Sequence, residues 1–94
     1  MRFLWDPAKE RANKAKHGLD FSFAELVFSD PLRVVVFDRY DGEERWHCIG
    51  VVAGGLKTLV VVHAYPDDDD PELVRIIGLR EATRHERRRY EDGE

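Results

Sequence analysis

Residues 73–90 read LVRIIGLREATRHERRRY, and the fold turns on how this stretch is divided. Its first part is apolar around one charge: Leu73, Val74, Ile76 and Ile77 surround Arg75. Its last part is charged throughout. Side chains repeat with period two in a strand and about 3.6 in a helix, and the pattern changes at Gly78. The reading is a strand over 73–77, a junction at Gly78 and a helix from about Arg80 to Glu91. Arg75 then stands near a strand end and Arg80 at a helix start, where both guanidiniums can face one groove. Such a group is planar, always charged, and forks onto phosphate oxygens. The plainer reading leaves both arginines on a solvated edge.

Upstream lies an acidic loop, 66–72, containing the run Asp67 to Asp70. Before it, 56–65 is the most apolar segment. Leu59 to Val62 is continuously apolar, which places this strand centrally with both faces covered. Gly54-Gly55 reads as a hairpin turn, preceded by a strand over 44–53 alternating around Trp46, Cys48 and Val51. A β-branched strand over 33–38 and a turn over 40–43 complete the block. Consecutive strands with short links predict an antiparallel sheet.

At the start, Phe3 to Trp5 read as a short strand or apolar anchor. Asp6-Pro7 opens a helix, Asp as cap and Pro at the first position, which needs no N–H. It runs to about Lys16 with a thin apolar face of Ala8, Ala12 and Ala15. His17-Gly18 closes it, with Gly18 as left-handed stop and Lys16 and His17 favourable to the helix dipole. A second helix over 21–28, capped by Asp20 or Ser22, ends at Ser29-Asp30-Pro31. The class is α+β: an antiparallel sheet, two N-terminal helices and a C-terminal helix in a single domain over 1–94. The last helix has little apolar cover beyond Ala82, Tyr90 and its arginine stems, so it is half docked or completed by a partner.

Ninety-four residues leave room for one core. A net charge of −4, from 15 basic and 19 acidic residues, argues against holding nucleic acid by bulk charge. From Leu73 onward, however, six arginines face five acids, so a local basic surface persists. No apolar run approaches the roughly 18 residues of a membrane span. The opening MRFLWDP has no signal-peptide core, which predicts a cytoplasmic protein. Cys48 is the single cysteine and reads as a buried structural thiol. His17, His47, His63 and His85 match no metal-ligand spacing, and the Asp run lacks the spaced oxygens of a calcium loop. His47 and His63 fall inside strands and read as satisfied sheet residues.

What remains is a metal-free set of Arg, Lys, His, Glu and Tyr. RNA carries its own nucleophile, the 2′-hydroxyl. Cleavage needs a base for that hydroxyl, an acid for the leaving oxygen and cations for the charged intermediate. Arg75 and Arg80 are the candidate cations. His17 or a glutamate is the candidate base, and Lys16 or Tyr90 can assist.

The same residues carry a resemblance. Phe3-x-Trp5-Asp6-Pro7-x-Lys9, Asn13-x-x-Lys16-His17-Gly18 and Phe21, Ala24, Val27-Phe28-x-Asp30-Pro31 follow in order. So do Glu44-Arg45, Ile49-Gly50, Arg75-Ile76-Ile77-x-x-Arg80-x-Ala82-Thr83 and Glu86-Arg87-x-x-Tyr90. Together they resemble the BrnT toxin family of bacterial type II toxin–antitoxin systems over nearly the whole chain. The resemblance implies a RelE-like fold and a ribonuclease that cleaves RNA and arrests growth, with no cofactor. It implies neutralisation by a BrnA-like ribbon-helix-helix antitoxin, through which alone the pair contacts DNA. Arg75, Arg80, Lys16 and His17 are then the expected catalytic residues, and Arg45, Arg84 and Tyr90 the expected RNA-binding ones. Two departures stand out: Gly78-Leu79 replaces the usual Ser-Ala between the arginines, and the Asp loop is longer and more acidic. The alternative is a degenerate, non-catalytic module that only pairs with a DNA-binding partner.

Overall fold

The structure is a computed structural model and describes residues 1–52, 54 and 57–94. In chain order it comprises β1 (Arg2–Leu4), α1 (Pro7–His17), α2 (Phe23–Phe28), β2 (Val34–Tyr40), β3 (Glu44–Val52), β4 (Lys57–Ala64), β5 (Leu73–Glu81) and α3 (Arg84–Asp92). The strands form one sheet in the order β1-β5-β4-β3-β2. The α+β class and the central place of the most apolar strand follow the sequence reading: on β4, Leu59, Val60 and Val61 are at most 1% exposed.

The sheet is mixed rather than antiparallel. β2 to β5 are antiparallel neighbours, but β1 runs parallel to β5, pairing Arg2 to Leu4 with Leu73 to Arg75. Short links favour antiparallel pairing only between consecutive strands. β1 reaches β5 across most of the chain, and its ladder begins where Arg2 N–H donates to the Glu72 carbonyl at 2.7 Å.

Helix α1 starts and stops as read: the Asp6 carboxylate accepts from Ala8 N–H at 2.9 Å, and Gly18 takes φ 73°. α2 begins later, at Phe23, and neither expected side-chain cap is used. The Asp20 carboxylate is taken by Lys14 at 2.9 Å, Ser22 makes no cap bond, and Phe21 turns into the core. The expected Gly54-Gly55 turn lies partly outside the described residues, as do Ala53 and Leu56; Gly54 itself has φ 68°.

The larger correction concerns the decisive stretch. β5 does not stop at Ile77 but runs through Gly78 to Glu81, so Arg80 is a strand residue. Backbone pairing outweighs side-chain pattern here: Gly78, Leu79, Arg80 and Glu81 continue the ladder against Val62, Val61, Val60 and Leu59. The helix waits for Thr83. Its hydroxyl accepts from Glu86 N–H while the Glu86 carboxylate accepts from Thr83 N–H, a reciprocal capping box that starts α3 at Arg84.

The two sheet faces differ. One packs Phe21, Val27 and Phe28 against Cys48, Leu59, Val61, Val74, Ile76 and Leu79. Approach is so close that a Cβ on Gly50 would stand 2.8 Å from the Val27 carbonyl oxygen. Burial pushes the Cys48 thiol up to about 12. His63, fully buried on this face, places Nδ1 3.1 Å from the Val61 carbonyl and Nε2 3.2 Å from the Tyr65 hydroxyl. Burial holds its pKa down at about 4. The other face has a smaller apolar cluster of Ile49, Val60 and Ala82 beneath Tyr90 of α3.

Candidate functional site

On a regular strand, residues five apart point to opposite faces. Arg75 and Arg80 do not, because β5 is irregular. Its partners step from His63–Ile76 to Val62–Gly78, which leaves Ile77 as an extra, bulged residue. Arg75 pairs with Ala64 and Arg80 with Val60, four apart on β4. Both arginines therefore lie on the face that α3 partly covers. The bulge restores the juxtaposition expected of a strand–helix junction by a different route.

The register places more groups on this face. His47 pairs with Val62, which pairs with Gly78, so one row across the sheet runs His47, Val62, Gly78. Arg45 lies two residues before His47. Gly78 supplies no side chain between the two arginine rows. A Cβ there would meet Asn13 Oδ1 at 3.6 Å and Val62 carbons at 3.8 Å, ordinary contacts that leave room for serine. Leu79, its neighbour, is fully buried in the opposite core.

Each arginine is paired. Arg80 donates from both terminal nitrogens to Glu86, at 2.7 and 3.0 Å. That fork, with the Thr83 N–H, holds the Glu86 carboxyl down at about 2 against the opposing cost of burial. Arg75 binds both carboxylate oxygens of Glu43, on the turn between β2 and β3. His47 lies between two acids, Nε2 3.5 Å from Asp38 and Nδ1 3.6 Å from Glu86. Burial lowers its pKa, with Asp38 and Glu86 pulling the other way and Arg80 adding to the fall. Arg45 has its Nη2 3.7 Å from Asp41, while its buried Nε has no hydrogen-bond partner among the described residues.

The remaining expected residues lie on the helices, Lys16 and His17 on α1 and Arg84 and Tyr90 on α3. Lys16 and His17 are exposed at the end of α1. α1 is joined to β5 by Asn13, whose amide donates to the Leu79 carbonyl at 2.8 Å and accepts from Leu79 N–H at 3.1 Å. Lys16 is one turn beyond Asn13 on the same helix face. Arg84 lies on α3 beside His85 and Arg88, which share a shallow cleft. Tyr90 is partly buried, and its hydroxyl donates to Asp30 at 2.6 Å, which pushes its pKa up to about 12. Asp30 also accepts from Val51 and Leu32 N–H, so it ties α3, β3 and the end of α2 together.

The sequence reading missed Glu43, Glu86 and His47 as neighbours of the arginines. The Thr83-x-x-Glu86 spacing could have identified the cap, but nothing local announces the bulge that brings these groups together. The acidic loop lies at the Arg75 end: Asp67 and Asp68 line a cleft of about 520 Å³ with Glu43, Glu44, Tyr40, Trp46 and Tyr65. Among the described residues no group of three or more His, Cys, Asp or Glu is placed to hold a metal ion, and no helix is long and apolar enough to cross a membrane.

None of the curated proteins matches this chain. A family model does, over residues 5–86, a span that holds both arginines and their paired carboxylates. That model describes BrnT, the ribonuclease toxin of type II toxin–antitoxin systems, and the chain belongs to this family.

Proposed function

We propose that the chain is a metal-independent endoribonuclease toxin of RelE-like fold whose single domain acts in the cytoplasm. It cleaves RNA by 2′-hydroxyl attack, arrests growth, and is neutralised by a BrnA-like ribbon-helix-helix antitoxin that alone contacts DNA. The observation that carries this reading is the Ile77 bulge, which sets Arg75 and Arg80 on one face. In the proposed mechanism the two guanidiniums bind the scissile phosphate and stabilise the charge that grows on it. Preorganised cations are worth most where charge develops and water is partly excluded. Lys16 and His17 contribute at the rim or as acid–base groups. Arg45 and Arg84 bind flanking phosphates, and Tyr90, its hydroxyl engaged by Asp30, offers only its ring to RNA.

One observation favours a second reading. Both guanidiniums already hold an internal carboxylate, which leaves neither free for a phosphate in this state. Induction in cells lacking the antitoxin separates the two. The toxin reading expects growth arrest that Arg80→Ala abolishes. Absence of arrest by the wild-type chain, with tight binding to a partner, supports the non-catalytic module instead.

A further inference from the structure

Side chains on and around the open face that can take up a proton include Asp38, which is shared between Arg39 and His47, Asp41 beside Arg45, and Glu43, His47 and Glu86. Glu86 is committed to the fold. It accepts from Arg80 twice and from Thr83 N–H, and its side chain is 13% exposed. His47 is enclosed between Asp38 and Glu86, and its ring is mostly buried. Glu43 differs from both. Among the described residues its carboxylate has one partner, Arg75, and the two side chains are 32% and 34% exposed.

Local structure aims Glu43 there. Gly42 takes φ 71°, a left-handed turn position, and Asp41 N–H donates to the Glu43 carbonyl at 2.8 Å. That tight turn delivers the side chain across the sheet end to β5. Two residues on, Arg45 leaves a buried Nε–H with no acceptor among the described residues. A buried donor without a partner is costly. The floor at that point is Ala64, a small side chain paired with Arg75. Other charged groups facing Glu43 across its cleft are Glu44, Asp67 and Asp68, with the phenols of Tyr40 and Tyr65 beside them.

We infer that Glu43 is the general base of the reaction, and that Arg75 both orients its carboxylate and binds the phosphate under attack. This deepens the ribonuclease reading above and rests on it. The Glu43 carboxylate takes the proton of the 2′-hydroxyl. The freed oxygen pair forms a bond to the adjacent phosphorus, and the bond from phosphorus to the 5′-oxygen breaks with its electrons on that oxygen. The leaving oxygen takes a proton from water, and Glu43 later returns its own to solvent. The products are a 2′,3′-cyclic phosphate and a 5′-hydroxyl end. Atoms and charge balance without oxidant or metal.

The test compares the full-length chain with its Glu43→Gln, Glu43→Asp, Arg75→Ala and Arg80→Ala variants. RNA ends are mapped in cells after induction. Binding of purified protein is measured on the mapped RNA made with a 2′-deoxy sugar at the cut site. Glu43→Gln is expected to bind that RNA within about threefold of wild type but to cleave about 100-fold or more slowly, the range of lost general-base catalysis. Glu43→Asp, which keeps a carboxylate, recovers part of the activity. Wild-type cleavage by Glu43→Gln while Arg80→Ala is inactive overturns the role of Glu43 and leaves the ribonuclease reading standing. Equal loss in the Gln and Asp variants, matched by equal loss of thermal stability, also overturns it, since Glu43 would then only hold the turn. No cleavage by wild type, or full cleavage by both arginine variants, removes the underlying reading and this proposal with it.

Discussion

The two faces of the sheet are built from the same strands but held by different forces. One is closed by Phe21, Val27 and Phe28 over a buried layer of Val, Ile, Leu and Cys. The other has a small apolar patch under Tyr90 and is otherwise a lattice of arginines and carboxylates. The closed face gains from apolar area removed from water, and the open face keeps charges where water still screens them. The first supplies most of the stability, and the second, the face proposed to act on RNA, adds a modest gain.

Breaking the closed face should have the largest effect. Phe21→Ala empties a fully buried ring site and should cost about 3–5 kcal/mol, a large share of the roughly 5–15 kcal/mol that stabilises a domain. Chemical denaturation measures it. On the open face, the two arginines should separate. Arg80→Ala strands the mostly buried Glu86 and should cost about 1–3 kcal/mol. Arg75→Ala frees the more exposed Glu43 and should cost less than about 1 kcal/mol. Equal costs would show that the two pairs are not distinguished by burial.

Acid sharpens the same comparison. The His63 pKa falls from 6.5 to about 4 on folding, so the unfolded chain binds the proton first. The closed face therefore loses stability as pH drops from about 6.5 toward 4. Glu86, lowered from 4.5 to about 2, contributes stability above about 4.5 and loses it as pH falls toward 2. Melting temperature against pH should show both windows, the upper flattened by His63→Gln and the lower by Glu86→Gln. Gly78→Ser should have the smallest effect, within about 0.5 kcal/mol, because its Cβ meets only ordinary contacts.

Helix α1 and the central strand were far more legible in the sequence than the open face. Asp6-Pro7 and Gly18 mark α1, and the run Leu59 to Val62 marks the central strand, because caps and continuous burial leave local signatures. The parallel pairing of β1 with β5 left none, since it joins residues about seventy apart. The division at Gly78 misled for a specific reason: the bulge at Ile77 shifts the alternation, and Arg80 then resembles the start of a charged helix. Arg75 and Arg80 were legible as a pair. The Glu43 partner of Arg75 was not, because it reaches Arg75 across 32 positions of sequence.

The central claim is that the face carrying Arg75 and Arg80 cleaves RNA. The most direct measurement is RNA cleavage by purified, partner-free chain in EDTA, beside Arg75→Ala and Arg80→Ala proteins shown to be folded by circular dichroism. The account predicts cleavage by wild type and a loss of about 100-fold or more in Arg80→Ala, the effect of removing a preorganised charge-stabilising group. Full cleavage by both folded variants would contradict it.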